Sequence, residues 1–156
     1  MRLFERWRSW MHARGSAKMI SRGGKPYLER FYLLALGHFK VFAHVFHQDD
    51  PDPRHCHPFA WGRLILRGSY REHYHDGTSA VFGPGHVVWY RDARVLHRVE
   101  LLTPTVATIF WHWREWRVWG FMHPGGWQQT PIGAQDLRES TGRVFPRKLG
   151  PPPSEA

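Results

Sequence analysis

Short runs of β-branched and aromatic residues, separated by turn-forming residues, constrain the fold of this chain more than any other feature. The runs are too short for helices of ordinary length, and glycine, proline or aspartate follows most of them. Asp76-Gly77, which lies between two such runs, is a typical hairpin turn. Many short strands at this spacing predict an all-β sandwich or small barrel. The candidate strands are residues 39–47, 60–67, 69–75, 79–82, 86–90, 95–101, 105–113 and 116–121.

The two ends of the chain differ in composition from this central region. Residues 1–25 hold seven lysines and arginines against one glutamate, so most of the formal net charge of +9 lies there. The spacing of apolar residues over 1–14 predicts a short amphipathic helix. We therefore expect a basic N-terminal helix or arm over residues 1–26 and a β-barrel over 27–124. Residues 125–156 are rich in glycine, proline and polar residues, which predicts an irregular C-terminal extension and tail.

The remaining composition indicates the compartment and the partners. The single cysteine, Cys56, excludes an internal disulfide and suits a reducing compartment, so we expect the cytoplasm. No apolar run approaches the roughly 20 residues that span a bilayer, so no transmembrane segment is expected. The basic segment predicts weak, salt-sensitive contact between residues 1–25 and polyanions. These features leave a homodimer open.

Two histidines one residue apart, His55 and His57, precede the second candidate strand. Residues i and i+2 of a strand point to the same face, so both imidazoles can reach one point while Cys56 points away. His97, near a later strand, can add a third imidazole from another part of the sheet. Neutral imidazoles bind iron, zinc, copper and nickel, so the three predict a metal site. The competing interpretation is that they are ordinary surface or core histidines in a chain that has twelve.

These residues resemble the two motifs of the cupin superfamily. The first motif has His-x-His and then a strand that ends in glycine, which here is His-Cys-His at 55–57 and Leu-Ile-Leu-Arg-Gly at 64–68. The second has a Pro-x-Gly-like turn, a strand and a further histidine, which here is Gly-Pro-Gly at 83–85 and later His97. The resemblance covers roughly residues 38–112. It implies an all-β, cupin-like fold, the double-stranded β-helix or jelly-roll barrel.

The chain departs from the cupin pattern at the glutamate that usually follows the second histidine. That position falls on Trp61 or Gly62, and neither side chain can bind a metal. The resemblance therefore implies a three-histidine set of His55, His57 and His97, similar to the thiol dioxygenases of the superfamily, which hold Fe(II). We expect a divalent transition metal, with Fe(II) as the first choice and Zn, Ni or Mn as alternatives.

One acid and two tyrosines complete the candidate site. In the strand after Gly68, strand alternation places Tyr70, Glu72 and Tyr74 on one face. If that face is the inner one, Glu72 either replaces the missing metal ligand or acts as an acid or base, and the tyrosines orient a substrate. A slip of one residue would exchange the two faces and place Glu72 in solvent.

The leading hypothesis is a metal-dependent cupin enzyme, an Fe(II) oxygenase that acts on a small molecule. One alternative is a non-catalytic module that binds a small molecule or a metal. Another is a metal-independent cupin isomerase or epimerase that uses histidine and tyrosine as base and acid. A third is a nucleic-acid or membrane-surface protein that binds through residues 1–25. The same barrel supports many activities, so the fold alone does not choose among them.

Overall fold

The computed structural model describes residues 2–50, 54–90, 93–115, 120–123 and 125–129. Its single described helix, α1, spans Arg2–Ala13. The candidate strand at 116–121 and the expected tail lie largely outside the described residues. The strands are β1 (Ala17–Arg22), β2 (Lys25–Leu36), β3 (Phe39–Phe46), β4 (Phe59–Arg67), β5 (Tyr70–Tyr74), β6 (Ser79–Phe82), β7 (Val87–Tyr90), β8 (His97–Leu101), β9 (Val106–Glu115), β10 (Gly120–His123) and β11 (Gly126–Gln129).

The strands form antiparallel sheets that face each other across a common interior. The larger sheet has the order β1-β2-β3-β9-β4-β7, and a smaller sheet has the order β6-β5-β8. A hairpin of β10 and β11 adjoins the smaller sheet, because His55 forms isolated bridges to His97 in β8 and Phe121 in β10. The all-β jelly-roll fold predicted from the sequence is confirmed.

Alternation along the strands explains where the core lies. In β4, Trp61, Arg63 and Ile65 are buried, whereas Leu66 is exposed. Ile65 belongs to a cluster that closes one end of the interior, and burying each aliphatic member contributes roughly 1.5–3 kcal/mol. The cluster consists of Ile65, Tyr70, Val88, Val99 and Val106.

A glycine fixes the turn between the two sheets. Gly68 joins β4 to β5 with φ +76°, a conformation that residues with a side chain rarely adopt. A Cβ at this position would lie 2.3 Å from the carbonyl oxygen of Thr105, so the turn also leaves no room for one. The chain therefore passes from the larger sheet to the smaller one at a position where only glycine fits.

The basic N-terminal segment contributes structure to the barrel. The predicted helix is present as α1, and it packs on the outer face of β2, where the ring of Trp7 lies 4.7 Å from that of Phe31. The carboxylate of buried Glu29 accepts hydrogen bonds from Arg8 and contacts His12. β1, which the sequence analysis placed in the arm, is the edge strand of the larger sheet. The boundary at residue 26 stays a prediction, although these contacts cross it.

The described residues include no helix that is both long enough and apolar enough to cross a membrane.

Candidate metal centre

The three predicted histidines meet inside the barrel. Their ring nitrogens lie within 4.8 Å of one another, and Nε2 of His57 is 2.8 Å from Nε2 of His97. His55 and His97 are held by their backbones, because each donates its N–H to the carbonyl of the other at 3.0 Å. His57 follows in the loop before β4, which places its imidazole beside the other two. Two of the rings are buried and that of His57 is partly so.

The chemistry of this cluster suits a transition metal. Burial lowers the pKa of His55 to about 4, although the charge of Asp50 opposes this effect. Burial, followed by the proximity of His97, lowers the pKa of His57 well below its usual value. Both rings are therefore neutral near pH 7 and offer a nitrogen lone pair. Together with the imidazole of His97, these rings form a convergent set of three nitrogen donors for Fe, Zn, Cu or Ni, so the residues present fit a divalent transition metal.

Glu72 faces the interior and lies behind His97. Its fully buried carboxylate contacts Nδ1 of His97 through Oε1 and accepts a hydrogen bond of 2.7 Å from Arg63 through Oε2. Burial would raise the pKa of Glu72, but the charge of Arg63 and the hydrogen bond with His97 outweigh it, and the pKa falls to about 2. An ionised carboxylate makes Nδ1 the protonated ring nitrogen, which leaves the Nε2 lone pair of His97 directed at His57.

The position of Glu72 bears on whether it supplies the missing metal ligand, which is one of the roles considered from the sequence. The group of side chains that could hold a metal, among the described residues, consists of the three histidines without Glu72. The geometry therefore favours a glutamate that orients a ligand over one that supplies the missing ligand.

Arg63 is a functional residue that the sequence analysis missed. Its guanidinium is buried, pairs with Glu72 and lies 4.3 Å from the ring centroid of Tyr70. A signal was available, because Arg63 alternates with Trp61 and Ile65 on the inner face of β4. A cation on an inner face needs a buried anion as its partner, and Glu72 is the acid for which an inward position was considered.

Tyr74 is paired with His97 across β5 and β8, and Tyr70 lies farther along β5. Tyr70 is buried in the apolar end of the interior, and no hydrogen-bond partner for its hydroxyl is found in the described part of the chain. The hydroxyl of Tyr74 lies 2.7 Å from that of Tyr90 and 3.5 Å from Oε2 of Glu72. Neither Tyr70 nor Tyr74 lines the cavity described next. Their role in orienting a substrate stays a prediction without a contact to support it.

A cavity of about 150 Å³ opens beside the three histidines. Aromatic and aliphatic side chains from both sheets form much of its wall, and they exclude water from one side of the cluster. The apolar part of the wall comprises Ile20, Leu28, Phe46, Pro58, Phe59, Trp61, Val99 and Phe110. The polar part comprises Arg22, Tyr27, Arg30, His44, Asp50, Arg63 and Thr108.

Asp50 is a second residue that the sequence analysis missed as part of the site. It is buried, one carboxylate oxygen contacts the hydroxyl of Tyr27, and the other accepts the N–H of Val99 at 2.9 Å. Burial would raise the pKa of Asp50, but His55 and the hydrogen bond from Tyr27 outweigh it, so the pKa lies below its usual value. No sequence signal indicates this role, since Asp50 begins an Asp-Pro loop that predicts only a turn.

Known proteins share this fold but little of this sequence. No protein-family model and no curated protein sequence matches the chain. The crystal structure of Fe(II) HppE superimposes with a TM-score of 0.53 at 14% identity, over 62% of this chain and 55% of HppE. A sugar phosphate isomerase from a cupin superfamily of Silicibacter pomeroyi gives 0.50 at 13% identity, over 66% of this chain and 75% of that one. An RmlC-like cupin from Shewanella frigidimarina gives 0.50 at 17% identity, over 64% and 85%.

At these identities the likeness concerns the fold alone, and the chain spans about half the length of HppE.

Proposed function

Because the chain has the cupin fold and gathers three histidines beside a cavity, we propose that it is a metal-dependent enzyme, an Fe(II) oxygenase acting on a small molecule. The observation that carries the proposal is the convergence of His55, His57 and His97, which come from two separate segments of the chain. HppE, a structural neighbour, is an Fe(II) protein that was crystallised with its substrate, which supports iron without establishing it.

The residues of the chain divide the work of such a site. His55, His57 and His97 would hold the ion through ring nitrogens, and a bound Fe(II) supplies open positions at which O2 and a substrate react. Glu72 holds the Nδ1 proton of His97 and so keeps Nε2 available as a donor. The apolar wall around Phe59 excludes water from the reacting atoms.

A second candidate function is a metal-independent isomerase or epimerase. The observation that favours it is the contact between Glu72 and His97, because a carboxylate that orients a histidine is a common arrangement for a general base. A sugar phosphate isomerase is also among the structural neighbours. A non-catalytic binding module would use the same cavity. Contact of residues 1–25 with polyanions, a homodimer and a cytoplasmic location remain proposals from composition.

Metal analysis of the purified full-length chain separates these functions. Protein produced with iron, zinc, nickel and manganese available is expected to contain about one metal per chain, measured by elemental analysis. His57→Ala is expected to abolish most of that content, since it removes one of three donors from a cluster that must hold the ion. His38→Ala, at an exposed turn between β2 and β3, is the matched control and should retain the metal. A wild-type protein free of metal would contradict the oxygenase and favour the isomerase.

A further inference from the structure

The wall of the cavity carries more positive than negative charge. Arg22, Arg30 and Arg63 all line it, and Glu72 compensates Arg63 at 2.7 Å. Among the described residues of the wall, Asp50 is the one carboxylate. Both of its oxygens already take hydrogen bonds, from Tyr27 and from the N–H of Val99. Arginines therefore outnumber carboxylates along this wall.

Arg22 is the cation of this wall that lacks an anion. It is half-buried at the end of β1, and the structure shows no ion pair for it within the described ranges. Its guanidinium carbon lies 4.0 Å from the ring centroid of Tyr27. Stacking on an aromatic face fixes the plane of a guanidinium and leaves the N–H groups at its edge for a planar acceptor. Arg22 is therefore held in place without being neutralised.

Two further observations indicate a polar ligand in the same space. The hydroxyl of Thr108 is buried on the cavity wall and has no hydrogen-bond partner in the part of the chain that the structure describes. Arg30 donates from Nε to Nε2 of His44 at 3.1 Å, which holds a second cation at the wall. Buried polar atoms normally have partners, so the unmatched hydroxyl and the unmatched charge together point to a group that enters the cavity.

We propose that the cavity binds a small organic anion whose carboxylate or phosphate group pairs with Arg22, while its apolar body extends towards the three histidines. Naming this anion as the substrate rests on the proposed function, but the binding of the anion requires no metal. The volume of about 150 Å³ restricts the ligand to a small molecule. Arginine suits both acceptor groups, because its N–H edge pairs with the oxygens of a carboxylate or a phosphate.

Isothermal titration of the full-length, metal-loaded chain with three probes tests this inference. Isobutyrate and methyl phosphate distinguish the two anion chemistries, and isobutyramide is a neutral analogue of the first. At least one of the two anions is expected to bind, and isobutyramide is expected to bind at least tenfold more weakly than isobutyrate if the carboxylate is the preferred group. Arg22→Gln should weaken the binding of that anion by about tenfold or more, as expected for a lost charge-assisted hydrogen bond.

Three controls distinguish anion binding at Arg22 from an effect of the metal. Arg67→Gln changes an exposed arginine at the end of β4 and should leave affinity unchanged. Arg22→Lys keeps the charge without the planar edge and should give an intermediate loss, which guards against a folding defect in Arg22→Gln. The wild-type chain from which a chelator has removed the metal should retain most of the anion affinity, and that binding should still depend on Arg22. If the purified wild-type chain contains no metal but still binds an anion through Arg22, the proposed oxygenase is refuted and the present inference stands. Anion binding that removal of the metal abolishes and Arg22→Gln leaves intact would overturn the present inference, as would no binding of either anion.

Discussion

Glu72→Gln is the substitution that tests the candidate site most sharply, because it keeps the shape of the side chain and removes its charge. The carboxylate has two donors as partners, Arg63 through Oε2 and Nδ1 of His97 through Oε1. A glutamine has a single acceptor oxygen, and its other terminal atom is a donor. Glutamine can therefore satisfy one of the two partners and must place an N–H group against the other.

The cost of the change follows from the burial of the pair. Arg63 would keep its charge in the interior without a compensating anion, and breaking a buried ion pair in this way costs about 3–5 kcal/mol. The pKa of Glu72 leads to a similar figure, because its fall from 4.5 to about 2 corresponds to about 3 kcal/mol in favour of the ionised form. We expect Glu72→Gln to lower the free energy of unfolding by about 3 kcal/mol at pH 7.

The pH dependence of this loss has a definite sign. A carboxylate whose pKa is lower in the folded state stabilises the protein above the pKa of the unfolded chain, near 4.5 for Glu72. That contribution is lost as the pH falls from about 4.5 to about 2. The difference in stability between wild type and Glu72→Gln should therefore narrow across this window. Urea unfolding of both metal-free proteins at pH 7, 4 and 3 measures it.

Metal affinity provides the second measurement on this variant. Loss of the acceptor behind a metal-binding histidine typically costs about 10–100-fold in affinity, and competition with a chelator would detect it. Glu100→Gln is the matched control, since Glu100 also contacts a histidine and an arginine, His73 and Arg71, but lies partly exposed on the other face of the smaller sheet. It should leave metal affinity unchanged. Equal stability and equal metal affinity in Glu72→Gln and wild type would refute the role assigned to Glu72.

Two further predictions concern the scaffold. Deleting residues 2–22 should lower the free energy of unfolding by at least the roughly 1.5–3 kcal/mol that burial of Phe31 contributes, and urea denaturation would show whether the boundary at residue 26 holds. Gly68→Ala should lower the melting temperature clearly more than Gly77→Ala, because both glycines have positive φ but only Gly68 has a neighbouring atom in the way; equal shifts in a thermal melt would contradict the close approach to Thr105.

The strands and the histidine cluster could be predicted because both depend on local alternation. His55 and His57 are two residues apart. Alternation put Tyr70, Glu72 and Tyr74 on one face and left open whether that face is the inner one, and the structure buries Glu72. β1 and β2 are both absent from the candidate strands, the first of which was residues 39–47. The six residues of β1 include two cations. An edge strand with one paired neighbour carries little hydrophobic pattern of its own.

Partners that lie far apart in the chain could not be predicted from alternation. Tyr27 and Asp50 are separated by 23 residues, and their contact arises because the end of β3 returns beside the start of β2. Similarly, β3 pairs with β9 in the larger sheet, and nothing in either strand specifies that neighbour. A sequence pattern indicates which face a residue occupies, while the sheet order determines what it meets there.

The orientation of His97 illustrates how the two kinds of information combine. Arg63 lies on β4 of the larger sheet, whereas Glu72 and His97 lie on β5 and β8 of the smaller one. A single chain of hydrogen bonds therefore runs from one sheet, through a carboxylate, to a ring at the candidate metal site. Each hydrogen bond in this chain is buried and depends on the distance between the two sheets. Close packing of the interior keeps that distance constant. The imidazole is thus oriented by the packing of the barrel as a whole, because the carboxylate that pairs with Arg63 also contacts Nδ1 of His97 and leaves Nε2 facing His57.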